Sequence, residues 1–163
     1  MSGRPIVNIA DVALADRGNG GAFAVKWGRV GPMLGLQSLG CALHVVPPGK
    51  KAFPFHRHHV MDELFYVLDG TGEYRWGEER LAIKSGDLIA APAGTKPHQL
   101  INTGKDELRY LGISSIAATE VVDYPDSSKV GIVAGTKGGE LQTATYRSLG
   151  RMQPADYFDG END

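Results

Sequence analysis

His56-Arg57-His58-His59-Val60-Met61-Asp62-Glu63 runs straight into Leu64-Phe65-Tyr66-Val67-Leu68, and these two pieces together decide the reading of the chain. The second piece is the clearest strand in the sequence, because aromatic and β-branched residues fill it. The first holds three of the five histidines and two carboxylates within eight residues. Neutral imidazole nitrogens with a carboxylate oxygen suit a borderline divalent metal. Strand side chains alternate faces, so His56 and His58 point the same way and can chelate one ion. Glu63 lies an odd number of residues beyond His58, and unbroken alternation would put it on the other face. A bulge or turn over 59–62 must therefore reset the phase if Glu63 is to join. Once reset, Glu63, Phe65 and Val67 share a face, one ligand followed by an apolar lining. His59 is an alternative ligand, although it faces away from His58. Asp62 is a candidate to orient an imidazole by accepting its other N–H.

Working outward, the same short-strand pattern continues. Glu73-Tyr74-Arg75-Trp76 follows the turn Asp69-Gly70-Thr71-Gly72 and is expected to fold back as a hairpin partner. Leu81-Ala82-Ile83, Leu88-Ile89-Ala90-Ala91, His98-Gln99-Leu100-Ile101-Asn102 and Leu108 to Ile113 come next, separated by Gly, Pro, Asp and Ser. Upstream, Phe23 to Val30, Leu34 to Leu39 and Cys41 to Val46 also read as strands. Ile6 to Ile9 is strand-like, and Asp11 is placed to cap a short helical turn. Short strands at regular spacing indicate an all-β sandwich or barrel. His44, inside an apolar run, reads as a structural histidine.

The chain has 163 residues, which favours one domain over 1–163 with a real core. Lys+Arg is 17 against Asp+Glu 19, a formal net charge of −2. That balance leaves no electrostatic footprint for nucleic acid or for an anionic membrane. Gly18-Asn19-Gly20-Gly21 does not follow a strand and open a helix as a dinucleotide site requires. The single cysteine, Cys41, excludes an intrachain disulfide and reads as a small buried apolar residue. No apolar stretch follows the N-terminal Arg4, and no window approaches the roughly 18 apolar residues of a membrane span. A soluble, cytoplasmic protein is the expectation. Residues 1–39 and 115–163 lack enough apolar residues for cores of their own, so the tail aromatics are expected to pack on the barrel or on a second subunit, and a homodimer follows.

The framing of the histidines carries a resemblance. Gly49, His56, His58, Glu63 and Gly70 read G-x6-H-x-H-x4-E-x6-G; Gly86, Pro92, Gly94, His98 and Asn102 read G-x5-P-x-G-x3-H-x3-N. This double frame resembles the two motifs of the cupin superfamily, with one extra residue before His56 and one before His98. A looser resemblance over nearly the whole chain is to single-domain bacterial cupins, a kind labelled by the fold alone or provisionally as sugar-phosphate isomerases. The resemblance implies a jelly-roll β-barrel over about residues 40–114. It also implies one divalent metal on His56, His58, Glu63 and His98, with zinc, manganese, iron and nickel all compatible. Without the resemblance, a His-rich surface loop remains the plain alternative.

Three functions fit. The first is a metal-dependent isomerase of a sugar or sugar phosphate, with Lys50, Lys51, Arg57 and Lys96 as candidate rim cations. The second is an iron-dependent dioxygenase with a pocket of Phe53, Phe55 and Phe65. The third is a small-molecule binding or sensing module without turnover. No catalytic base is named by spacing, although Tyr66 and Tyr110 are candidates.

Overall fold

The computed structural model of the protein describes residues 5–161, so Met1 to Arg4, with the N-terminal Arg, and the acidic end at Asn162 and Asp163 lie outside the described residues. Thirteen strands follow one another: β1 Ala15–Gly18, β2 Ala24–Arg29, β3 Leu39–Val46, β4 Arg57–His58, β5 Glu63–Asp69, β6 Thr71–Trp76, β7 Glu79–Lys84, β8 Leu88–Ala91, β9 His98–Ile101, β10 Leu108–Ser115, β11 Glu120–Tyr124, β12 Lys129–Ala134 and β13 Tyr146–Gly150. They form a six-stranded sheet (β1-β2-β3-β10-β5-β8), a three-stranded sheet (β7-β6-β9) and a four-stranded sheet (β13-β12-β11-β4). Every strand pair is antiparallel.

The six- and three-stranded sheets face each other across one apolar core. Val46, Phe65, Val67, Tyr74, Leu100 and Leu108 are among the buried side chains there. Alternation explains the membership. In β5, Phe65 and Val67 are buried while Leu64 and Tyr66 on the other face are exposed. A second cluster of Val12, Val30, Leu43 and Val45 seals the outer face of β3.

The tight turn from Asp69 to Gly72 does not make a hairpin of β5 and β6. β5 pairs with β10 and β8, whereas β6 pairs with β7 and β9. Gly70 sits at φ 86°, and a Cβ there would collide with the Glu107 carbonyl. The chain turns a corner at Gly70 and passes from one sheet to the other, which only a glycine permits at this approach. The true hairpin is β6–β7, through Gly77 at φ 59°.

Two local expectations change near the N-terminus. Asn8, not Asp11, caps a single 3-10 turn at Ile9–Asp11 by accepting from Ala10 N. The strand expected over Leu34 to Leu39 does not form before Leu39: Gly31–Leu34 is a 3-10 turn, with Pro32 in its first positions and Gly35 closing it at φ 71°. The C-terminal region contributes more order than its composition announces. Its β11 and β12 strands are largely half-buried and extend from β4. Tyr157 and Phe158 do not pack on the barrel. They remain 87% and 72% exposed and meet only edge to face, at 4.9 Å.

Candidate metal centre

His56 and His98 are brought together by backbone pairing. His56 N donates to His98 O at 3.1 Å and His98 N donates to His56 O at 2.7 Å. Directly paired residues present their side chains to the same face. Their rings lie 4.6 Å apart. His58 arrives from β4, held to β11 opposite Val122. Between β4 and β5 the chain leaves one sheet for another, and Glu63 starts β5 with its side chain inward.

The 59–62 turn therefore resets the phase, and Glu120 holds it. This buried carboxylate accepts from His59 N, Val60 N and Val121 N on Oε1, at 3.0, 3.1 and 2.8 Å, and from Met61 N on Oε2 at 2.7 Å. Its Oε2 also lies 3.5 Å from Nδ1 of His58. Three loop donors, from His59, Val60 and Met61, converge on this buried carboxylate and fix the loop that carries His58 toward Glu63. Sequence reasoning missed Glu120, because it lies far along the chain in a segment without any motif.

Three imidazoles converge on one carboxylate oxygen. Oε2 of Glu63 is 2.9 Å from His98 Nε2, 3.4 Å from His58 Nε2 and 3.8 Å from His56 Nε2. Ligand atoms of His56, Glu63 and His98 all lie within 4.8 Å of one another. Bonds near 2.1 Å put neighbouring ligand atoms about 3 Å apart and opposite ones about 4.2 Å apart, so this spacing fits one ion. His58 sits slightly outside that trio, with its ring 6.5 Å from the ring of His98.

The protonation chemistry agrees with the spacing. His56 Nδ1 is 2.7 Å from Pro54 O, so it donates there and turns the Nε2 lone pair inward. Burial pushes the His56 imidazole down to about 4, helped by positive charge on His98 and His58 and opposed by Glu63. It is therefore neutral near pH 7, the form that ligates a metal. Burial alone would raise the Glu63 carboxyl, but the hydrogen bond with His98 and the three imidazoles outweigh it and hold it down to about 2.

His59 and Asp62 have other partners. His59 Nε2 is 2.8 Å from Asp123 Oδ1, which also accepts from Arg57 Nε at 2.8 Å. Asp62 orients no imidazole. Its Oδ1 accepts from Ala93 N at 2.8 Å and so ties the turn to the loop that presents His98.

The group opens into a cavity of about 710 Å³ lined by His56, Glu63 and His98 together with His44, Phe53 and Phe65. Tyr110 lines it as well, whereas Tyr66 faces outward and Phe55 lies under the Arg75 guanidinium, 3.5 Å from its ring centre. The rim cations differ from those expected. Lys50 donates to Gly21 O, Arg57 to Asp123 and Lys96 to Glu79, and Lys51 lies over the Phe23 ring, none of them lining the cavity. Arg29 and Lys137 line it instead, one from each chain extension. Arg29 meets Glu140 there in a two-point contact at 2.6 and 3.2 Å.

Comparison with known proteins gives the same fold. A family model described as "Cupin domain" matches residues 42–114. A structure from Acidithiobacillus ferrooxidans, provisionally named a sugar phosphate isomerase, is 26% identical with a TM-score of 0.75, over 91% of this chain and 92% of that one. A cupin from Silicibacter pomeroyi named a sugar phosphate isomerase is 20% identical with a TM-score of 0.76, over 90% and 92% of the two chains, a likeness of fold alone. An oxalate-binding protein of Thermotoga maritima is 31% identical over 68 residues, 42% of this chain and 54% of that protein. The chain spans about half the length of the curated relatives it matches. The all-β jelly-roll expectation holds.

Proposed function

We propose, from the premise that residues 42–114 place this chain in the cupin superfamily, that it binds one divalent metal through His56, His58, Glu63 and His98 and isomerises a sugar or sugar phosphate there. The observation that carries the reading is the convergence of three imidazole nitrogens on Glu63 Oε2 at the wall of a deep cavity. A bound ion would polarise a carbonyl oxygen of the substrate. The chain's own residues shape and shield the substrate site. Phe53 and Phe65 give the inner wall an apolar lining, and the contact of His56 Nδ1 with Pro54 O orients its ring. Lys137 at the cavity wall offers a cation to a phosphate group, while Arg29 beside it is paired with Glu140. The structure from Acidithiobacillus ferrooxidans, similar over nearly the whole chain, supports the same reaction class.

The test is elemental analysis of anaerobically prepared protein, followed by a substrate screen with the metal found. The wild type should carry about one ion per chain, the number one such ligand group holds. His98→Ala should fold and lose the ion, because the core beneath it is apolar. Full occupancy in His98→Ala would remove His98 from the ligand set. The likeness to an oxalate-binding protein favours a second reading, small-molecule binding without turnover. Saturable binding with no product across the screen would select it, and ferrous iron with oxygen consumption would select dioxygenase chemistry instead.

A further inference from the structure

One buried polar side chain in the cavity has no part in the metal group. His44 lies on β3, opposite Tyr110 on one side and Trp27 on the other, and all three line the cavity. Its ring stacks on Tyr110 at 4.6 Å and 10° and meets the edge of Phe53 at 5.7 Å. It is 7% exposed, its Nδ1 is buried without a hydrogen-bond partner, and its Nε2 makes no hydrogen bond among the described residues. An unpaired buried imidazole costs free energy that an apolar residue in the same place would not.

The surroundings make room for this ring. A Cβ on Gly112 would stand 2.7 Å from His44 Cε1 and 3.2 Å from Nδ1, and 3.7 Å from Phe65. Phe65 in turn meets the ring of His98 at 5.6 Å. Gly112 thus lets His44 lie against the same aromatic wall that backs the metal group. Burial holds the His44 imidazole down to about 4, against the pull of Glu63 and of the nearby Ala42 and Tyr110 backbone, so it is uncharged near neutral pH. An uncharged imidazole selects a neutral polar group that both donates and accepts, such as a hydroxyl, rather than an anion.

We infer that His44 is a ligand-contacting residue whose free ring nitrogen hydrogen-bonds a hydroxyl of a sugar or sugar phosphate held at the metal centre. The inference rests on the metal-dependent reading of the site and adds the group that recognises the sugar. Selectivity then comes from two chemistries: Lys137 at the wall for a phosphate, and His44 for the hydroxylated carbon chain.

The experiment uses the metal-loaded protein, with D-ribose 5-phosphate, D-fructose 6-phosphate and D-glucose 6-phosphate as calorimetric probes. His44→Phe keeps the stack on Tyr110 and deletes both nitrogens. The expected result is binding of at least one probe by the wild type and a loss of tenfold or more in His44→Phe at unchanged metal content. Equal affinity in the variant overturns the role of His44, as does failure of every probe to bind the metal-loaded wild type. A wild type that takes up no metal defeats the reading beneath it instead, so the two failures are separable. Diethylpyrocarbonate on the unsubstituted protein gives a readout independent of the variant's folding. His44 should be acylated, and the bound probe should slow the reaction. A His44 left unmodified in the folded protein overturns the inference.

Discussion

At the scale of single residues, ionisation follows burial more than residue type. His44 and His56 are both driven down to about 4 by desolvation, from an ordinary value of 6.5. Each is neutral in the folded chain and free to protonate when unfolded. Between about pH 6.5 and 4 the unfolded chain therefore binds more protons, and stability is lost as pH falls through that window. His44 alone accounts for a loss on the order of 3 kcal/mol by pH 4. Urea unfolding of the metal-free protein should show this slope, and His44→Phe should flatten it. A variant whose pH dependence matches the wild type would place the His44 proton elsewhere. Glu63 acts in the same direction at lower pH. Its contribution is present above its ordinary value of 4.5 and disappears only as pH falls toward about 2.

At the scale of elements, the metal centre depends on a joint between sheets. β4 and β5 are separated by four residues yet belong to different sheets, and Glu120 from β11 holds the turn between them. Glu120→Gln replaces one acceptor oxygen with a donor that faces backbone N–H groups. A destabilisation on the order of 3 kcal/mol is expected from the lost charged hydrogen bonds. Metal affinity should fall with it, because His58 is then no longer held toward Glu63. Denaturant midpoints and metal titration check both effects, and an unchanged metal affinity would show that the turn keeps its shape without Glu120. The corner at Gly70 is the second joint. Strand composition on either side of it suggested a hairpin, and only the approach of Glu107 shows that the chain crosses between sheets.

At the scale of the whole molecule, the C-terminal region adds a sheet to the barrel and leaves apolar side chains outside it. Leu149, Met152, Tyr157 and Phe158 are between 54% and 87% exposed. We propose that a second copy of the chain covers these exposed apolar groups. A homodimer in solution is therefore expected, with these residues at its interface. Light scattering should give a mass near twice 17.5 kDa, and Tyr157→Ser with Phe158→Ser should shift it toward the monomer. A wild-type mass near 17.5 kDa would rule the dimer out.

Strand period, turn residues and the two histidine frames are local properties. The all-β class, the order of β5 to β10 and the trio His56, Glu63 and His98 that the fold gathers were therefore legible in the sequence. The turn that resets the phase before Glu63 was legible too, since pleat alternation allows no other route. What holds that turn was not. Glu120, the Gly70 crossing, the cations Arg29 and Lys137 and the free nitrogen of His44 depend on segments far apart in the chain. Long-range pairing sets which side chains share a cavity, and a buried group's partners and ionisation are set by those neighbours. Thus His56 to Glu63 marked a candidate metal site by itself, while the barrel alone decided which other residues meet it.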